Sequence, residues 1–189
     1  MTHTISLRNE ACDEHKFVIS ACGFTFQGYR LILNQYGIQA SHIHFDGDEV
    51  SQQDLENILI NQNAHIVVFL GKGIVSLLES LKRLASVLNA LPVIRRVTLY
   101  GDLPDGWLYR TLGTLLNNSY QLSLIRLARV SDVITCIHTH HHVFKDRSYV
   151  LRDRYKDNSS QETVKWLTKR EIDVLLNFYR GMSVKEMCD

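Results

Sequence analysis

Residues 64–70, AHIVVFL, are almost wholly apolar and rich in β-branched side chains, and they limit the folds open to this chain more than any other segment. A strand that is apolar at successive positions has no face to give to water, so it belongs in the middle of a sheet covered on both sides. Such sheets are parallel, and parallel neighbours need a crossover. The sequence supplies one directly: Ile74, Leu77, Leu78, Leu81, Leu84, Ala85, Leu88 and Leu91 keep helical spacing until Pro92 stops them.

The same alternation runs through the rest of the chain. Residues 17–22 (FVISAC) read as a buried strand, and Tyr29, Ile32, Leu33 and Tyr36 then mark an amphipathic helix closed by Gly37. Residues 38–45 read as a second strand, the turn Asp46-Gly47-Asp48 follows, and Leu55, Ile58 and Leu59 lie on a helix opening near Ser51. Residues 96–100 form a fourth strand, followed after Pro104 by a helix carrying Trp107, Leu108, Thr111, Leu112 and Leu115. Residues 120–127 read as a fifth strand, and Val130, Val133, Ile134 and Ile137 as a fifth helix. Strand-then-helix units of about 25 residues imply a flavodoxin-like α/β fold, a doubly wound five-stranded parallel sheet with helices on both faces.

The expected division is a polar leader over 1–15, the α/β domain over 16–146, a charged, aperiodic linker over 147–165 and a separate all-α tail over 166–189. At 189 residues there is room for one good core and an appendage. Twenty-one basic residues against 20 acidic ones give a net charge of +1, which carries no global polyanion signal. Four scattered cysteines, Cys12, Cys22, Cys136 and Cys188, suggest neither a disulfide framework nor a zinc site. The first residues lack the basic start and apolar run of a signal peptide, and no apolar run is long enough for a bilayer. A cytoplasmic protein without membrane attachment is expected.

The tail, WLTKREIDVLLNFYRGMSVKEMCD, is locally the most explicit part of the sequence. Thr168 with Glu171 makes a capping box, and Ile172, Leu175, Leu176 and Tyr179 supply the buried stripe of the helix it starts. Gly181 ends that helix. Ser183 with Glu186 opens another, which carries Val184 and Met187. Two capped helices around a tight glycine turn make the first part of a helix-turn-helix.

The pattern Leu167-Thr168-x-Arg170-Glu171-x-Asp173-Val174-Leu175 followed by Gly181-x-Ser183-x-Lys185-Glu186 resembles the start of the LuxR/FixJ-type DNA-binding domain. The resemblance implies a transcription regulator whose partner is duplex DNA. In that family a further helix reads bases, whereas this first half supplies scaffold and phosphate contacts. The sequence ends at Asp189, before such a helix, so a partial module is expected. By resemblance Lys185 approaches the phosphate backbone, with Thr168 or Lys169 assisting. Thr168 is first of all the cap of its helix, and a solvated surface lysine is the plain reading of Lys185.

Such tails commonly follow a receiver domain, which is a five-unit α/β fold of this size. A receiver needs two acidic residues after the first strand for Mg²⁺, an aspartate nucleophile after the third, a hydroxyl after the fourth and a lysine after the fifth. Here Ser20 and Ala21 stand in the acidic places, Leu70 in that of the phosphoacceptor and Gly101 in that of the hydroxyl, and only Arg126 keeps a cation. The domain is therefore expected to be a pseudo-receiver that takes no phosphoryl group. The segment CGFTFQGYRLIL is similar to RcsA-like auxiliary regulators, whose degenerate receiver joins a second regulator on DNA. A homodimer, or a heterodimer with another regulator, follows from the resemblance. Leu112, Leu122, Ile125 and Ile134 are candidates for that surface, with core positions the simpler reading of each.

The remaining features have plainer readings. Asp46 and Asp48 are a turn rather than a metal site. His138, His140, His141 and His142 form a solvated helix end rather than a ligand set. Gly71-Lys72-Gly73 is a tight turn lacking the trailing residues of a P-loop. No nucleophile-base arrangement emerges from the spacing, so neither an enzymatic activity nor a cofactor or metal is expected.

Overall fold

A computed structural model describes residues 14–93, 95–134, 137, 149–150 and 166–182 of the chain. The elements, in order, are β1 (His15–Ser20), α1 (Gly23–Asn34), β2 (Gln39–His42), β3 (Phe45–Asp46), β4 (Glu49–Val50), α2 (Gln52–Ile60), β5 (His65–Phe69), α3 (Ile74–Ala90), β6 (Arg96–Tyr100), α4 (Asp105–Leu115), β7 (Ile125–Ala128), β8 (Tyr149–Val150) and a tail helix (Lys169–Tyr179). The main sheet has the order β2-β1-β5-β6-β7-β8. Its first five strands are parallel, giving the doubly wound, flavodoxin-like architecture expected from the alternating pattern. All five residues of β5 are buried, as its continuous apolar run requires.

Side-chain alternation along the strands feeds two cores. Phe17 and Ile19, Ile66 and Val68, Val97 and Leu99, and Ile125 and Leu127 point to one face, where α2, α3 and α4 cover them. Val18, Val67, Phe69, Tyr100 and Ala128 point to the other, beneath Phe26, Tyr29 and Leu33 of α1 and beneath Val133 and Ile137. The turn Asp46-Gly47-Asp48 joins β3 to β4, which pair antiparallel in a small separate ribbon.

Beyond the ends of β1 (His15–Ser20, expected over 17–22) and of β2 (Gln39–His42, expected over 38–45), two boundaries differ from the sequence pattern. The fifth parallel strand begins only at Ile125, because Ser119–Leu124 winds into a 3-10 turn. Asn118 starts that turn, its side chain accepting a hydrogen bond from the Tyr120 N–H at 2.9 Å. Such local side-chain bonding competes with a strand ladder. Second, Tyr149–Val150, inside the stretch expected to be a linker, pairs antiparallel with β7.

Candidate functional site

The carboxyl ends of parallel strands are where α/β domains of this kind place their chemistry. Here the residues directly following β1, β5 and β6, which are Ala21, Leu70 and Gly101, are small or apolar. The Ser20 hydroxyl turns back onto the chain, donating to the Cys22 carbonyl at 3.0 Å and accepting from the Cys22 N–H at 3.2 Å. Ala21 beside it is exposed. Leu70 N–H bonds the Tyr100 carbonyl and Gly101 N–H the Ala128 carbonyl, both at 3.0 Å, so the ladder continues one residue past β5 and β6.

These extensions bring Leu70 over Gly101. A Cβ on Gly101 would stand 3.0 Å from Leu70 Cδ1 and 3.1 Å from its Cβ. Leu70 and Gly101, the residues expected by resemblance at a receiver's aspartate and hydroxyl positions, are thus packed against each other. Arg126 is not the strand's last residue at this edge: it stands opposite Thr98 within β7, while Ala128 is the residue opposite Tyr100. Among the described residues no group of three or more His, Cys, Asp or Glu side chains is placed to hold a metal ion.

Asp48 lies in the expected turn and has a further role there. Its carboxylate accepts from Lys82 Nζ of α3 at 2.8 Å and from Arg180 Nη2, just past the tail helix, at 2.9 Å. Lys82 also pairs with Asp173 of the tail helix at 2.8 Å, and Arg180 with Glu79 of α3 at 3.6 Å. The Asp48 carboxyl is drawn down to about 2; the Arg180 hydrogen bond and the contacts with Lys82 outweigh a desolvation that works the other way.

These ions border an apolar contact. The tail helix lies against α3 and α4. Its Ile172 and Leu176 are fully buried in the larger core, and Leu167 and Leu175 pack against that core from half-buried positions. Full burial of two such side chains stabilises the contact by roughly 3–6 kcal/mol, whereas each half-exposed ion pair adds less than about 1 kcal/mol. Thr114 Oγ1 donates to the Leu167 carbonyl at 3.1 Å, and the Arg110 guanidinium lies 4.4 Å from the centre of the Trp166 ring. Tyr179, expected in the buried stripe, is instead exposed near the helix end.

The caps of the tail helix follow its sequence. Thr168 Oγ1 accepts from the Glu171 N–H at 3.3 Å, and Glu171 Oε2 accepts from the Thr168 N–H at 2.8 Å. At the other end Gly181 adopts φ +83°, which lets its N–H reach the Phe178 carbonyl at 3.1 Å and the Met182 N–H reach the Asn177 carbonyl at 3.0 Å. This is a Schellman closure, which needs a left-handed residue at that place. Thr168 and Lys169 are exposed at the helix start. Lys185 and the second capping box, Ser183 with Glu186, lie outside the described residues, as do His138, His140, His141 and His142.

Of the four candidate pairing residues, Leu112, Leu122 and Ile125 are core residues, at most 3% exposed. Ile134 alone is on the surface, at 53%.

A second polar cluster has no counterpart in the motif reading. Lys16 of β1, 2% exposed, donates to Glu14 Oε1 and to His65 Nδ1, both at 2.7 Å. With that nitrogen accepting, His65 Nε2–H donates to Thr98 Oγ1 at 2.9 Å. The group ties together β1, β5 and β6 on the α1 side of the sheet. Burial works to raise the Glu14 pKa, but the charge of Lys16 and its hydrogen bond outweigh it and hold the carboxyl well below its ordinary range. The signal available in the sequence was a lysine and a histidine inside otherwise apolar strands.

No family model, curated protein sequence or solved structure matches the chain. Among the described residues no helix is long and apolar enough to cross a membrane.

Proposed function

We propose that this is a cytoplasmic transcription regulator of the LuxR/FixJ kind, or the front part of one. In this reading its receiver-like domain works by pairing with itself or with another regulator rather than by accepting a phosphoryl group. The observation that carries the reading is the sheet edge: Leu70 fills the space over Gly101, and Ser20 is spent on its own backbone. In this reading a receiver-like topology is kept, while Ser20, Ala21, Leu70 and Gly101 stand where the groups that bind Mg²⁺ or take phosphate would be. The capped tail helix supports the DNA-binding half of the reading, through the resemblance of its sequence and its Schellman turn at Gly181.

The test is association of the full-length gene product with duplex DNA across a salt series. Binding should weaken steeply with salt, because neutralised phosphates release counterions. Acetyl phosphate with Mg²⁺ should leave both the mass of the protein and its binding unchanged. Absence of DNA binding at low salt, alone and with a partner regulator, refutes the proposal.

A second reading is favoured by the burial of Ile172 and Leu176 in the domain's own core. In it the tail helix is part of an interaction module that pairs with a full-length regulator and makes no DNA contact. The two readings separate on the partner's affinity for DNA, which an auxiliary subunit raises and a decoy lowers.

A further inference from the structure

The tail helix carries more apolar surface than its docking site uses. At about 100° per residue, Val174, Phe178, Leu175, Tyr179, Ile172 and Leu176 span an arc of roughly 200° around the axis. Only one end of that arc, Ile172 and Leu176, is buried; Leu175 in the middle is half-buried, and Val174 and Phe178 at the far end are 45% and 64% exposed. Apolar burial has no direction of its own. A helix with so wide an apolar arc gains similar burial at several rotations about its axis, and a rotation centred on Leu175 would cover more of the arc than the one observed.

Charge breaks this degeneracy. Asp173 and Arg180 lie next to each other on the wheel, just beyond the buried end of the arc, and both are engaged from the domain side. Lys82 holds Asp173 at 2.8 Å, and Asp48 holds Arg180 at 2.9 Å. Lys82 also bridges to Asp48 at 2.8 Å, so α3 and the β3–β4 turn grip the same edge of the helix. Glu79 adds a weaker contact to Arg180 from the same side. We propose that Asp48, Lys82, Asp173 and Arg180 are positioning residues that set the rotation of the tail helix. They pull its charged edge onto α3 and so keep the Val174–Phe178 end of the arc turned outwards. Setting register is the best-attested use of polar or ionic groups placed beside an apolar contact, and half-exposed pairs such as these add little stability of their own. The inference concerns how the helix sits on the domain and does not depend on whether the tail touches DNA.

Hydroxyl-radical footprinting of the whole chain, read residue by residue by mass spectrometry, tests it with native side chains as probes. In the Asp48→Ala/Arg180→Ala variant, oxidation of Phe178 and Val174 should fall several-fold while that of Ile172 and Leu176 rises, with β5 unchanged. Native protein in 1 M salt should move the same way, because screening weakens the half-exposed pairs. That measurement stands even if the variant folds poorly. An unchanged pattern in both experiments overturns the proposal. A joint rise of both stripes also overturns it, since the ions would then hold the helix on the domain rather than orient it.

Discussion

Leu176→Ala distinguishes a tail helix that belongs to the domain from one that merely rests beside it. Leu176 is fully buried and shares a core with Leu78, Leu81 and Leu112. Truncation to alanine in such a setting removes both transfer free energy and contacts that the surroundings cannot fully restore, a loss of about 3 kcal/mol. With a urea dependence of about 2 kcal/mol per molar, the unfolding midpoint should fall by about 1.5 M. The chain has two tryptophans, Trp107 on α4 and Trp166 at the docked end of the tail. In a Trp166→Phe background, fluorescence therefore reports on Trp107 and the α/β domain alone. A fall of the predicted size in that signal means that the tail and the domain unfold together. Val174→Ala, on the open side, should shift the same midpoint by no more than about 0.5 kcal/mol in equivalent free energy. If Leu176→Ala leaves the Trp107 transition in place, the tail is an independent unit and the reasoning from its burial fails.

Two further outcomes follow from the sheet. Gly101→Ser should destabilise the domain by about 1–3 kcal/mol, because the new Cβ meets Leu70. Combined with Leu70→Ala it should cost clearly less than the sum of the two single changes, and strict additivity in urea titrations would show that the two positions are not packed together. The low pKa of Glu14 makes its share of stability fully present above its ordinary value of 4.5 and progressively lost as pH falls below it. Glu14→Gln should therefore flatten the decline of stability between about pH 5 and pH 3; denaturation curves of equal pH slope for variant and native protein would contradict this.

What could be read in advance was whatever a local pattern dictates. The run around β5, the glycine and proline stops and the Thr168–Glu171 box each act over a few residues, and each gave the element it signals. Boundaries suffered where two local preferences competed, as at Asn118, whose turn shortens the fifth strand to four residues. The candidate site was legible at its sheet edge: Leu70 and Gly101 could be placed from strand ends, and Ser20 by the resemblance, since the apolar run itself continues to Cys22. Arg126 could not, since its position depended on the strand beginning at Ile125. Asp48 and Arg180 are 132 residues apart, and nothing in either neighbourhood marks them as partners. Lys16 and His65 looked like ordinary polar interruptions of strands, and only the register of β1 against β5 brings them together.

The short strand β8 has a consequence for how this protein can meet others. A parallel sheet of five strands has two raw edges, each a row of unpaired backbone groups that a foreign strand can complete. By returning antiparallel along β7, Tyr149–Val150 takes up one of them. The β2 side remains, four residues long and only partly covered. A second chain that lengthened this sheet would meet four residues of edge strand beside His42 and only two at β8, at the opposite end of the sheet.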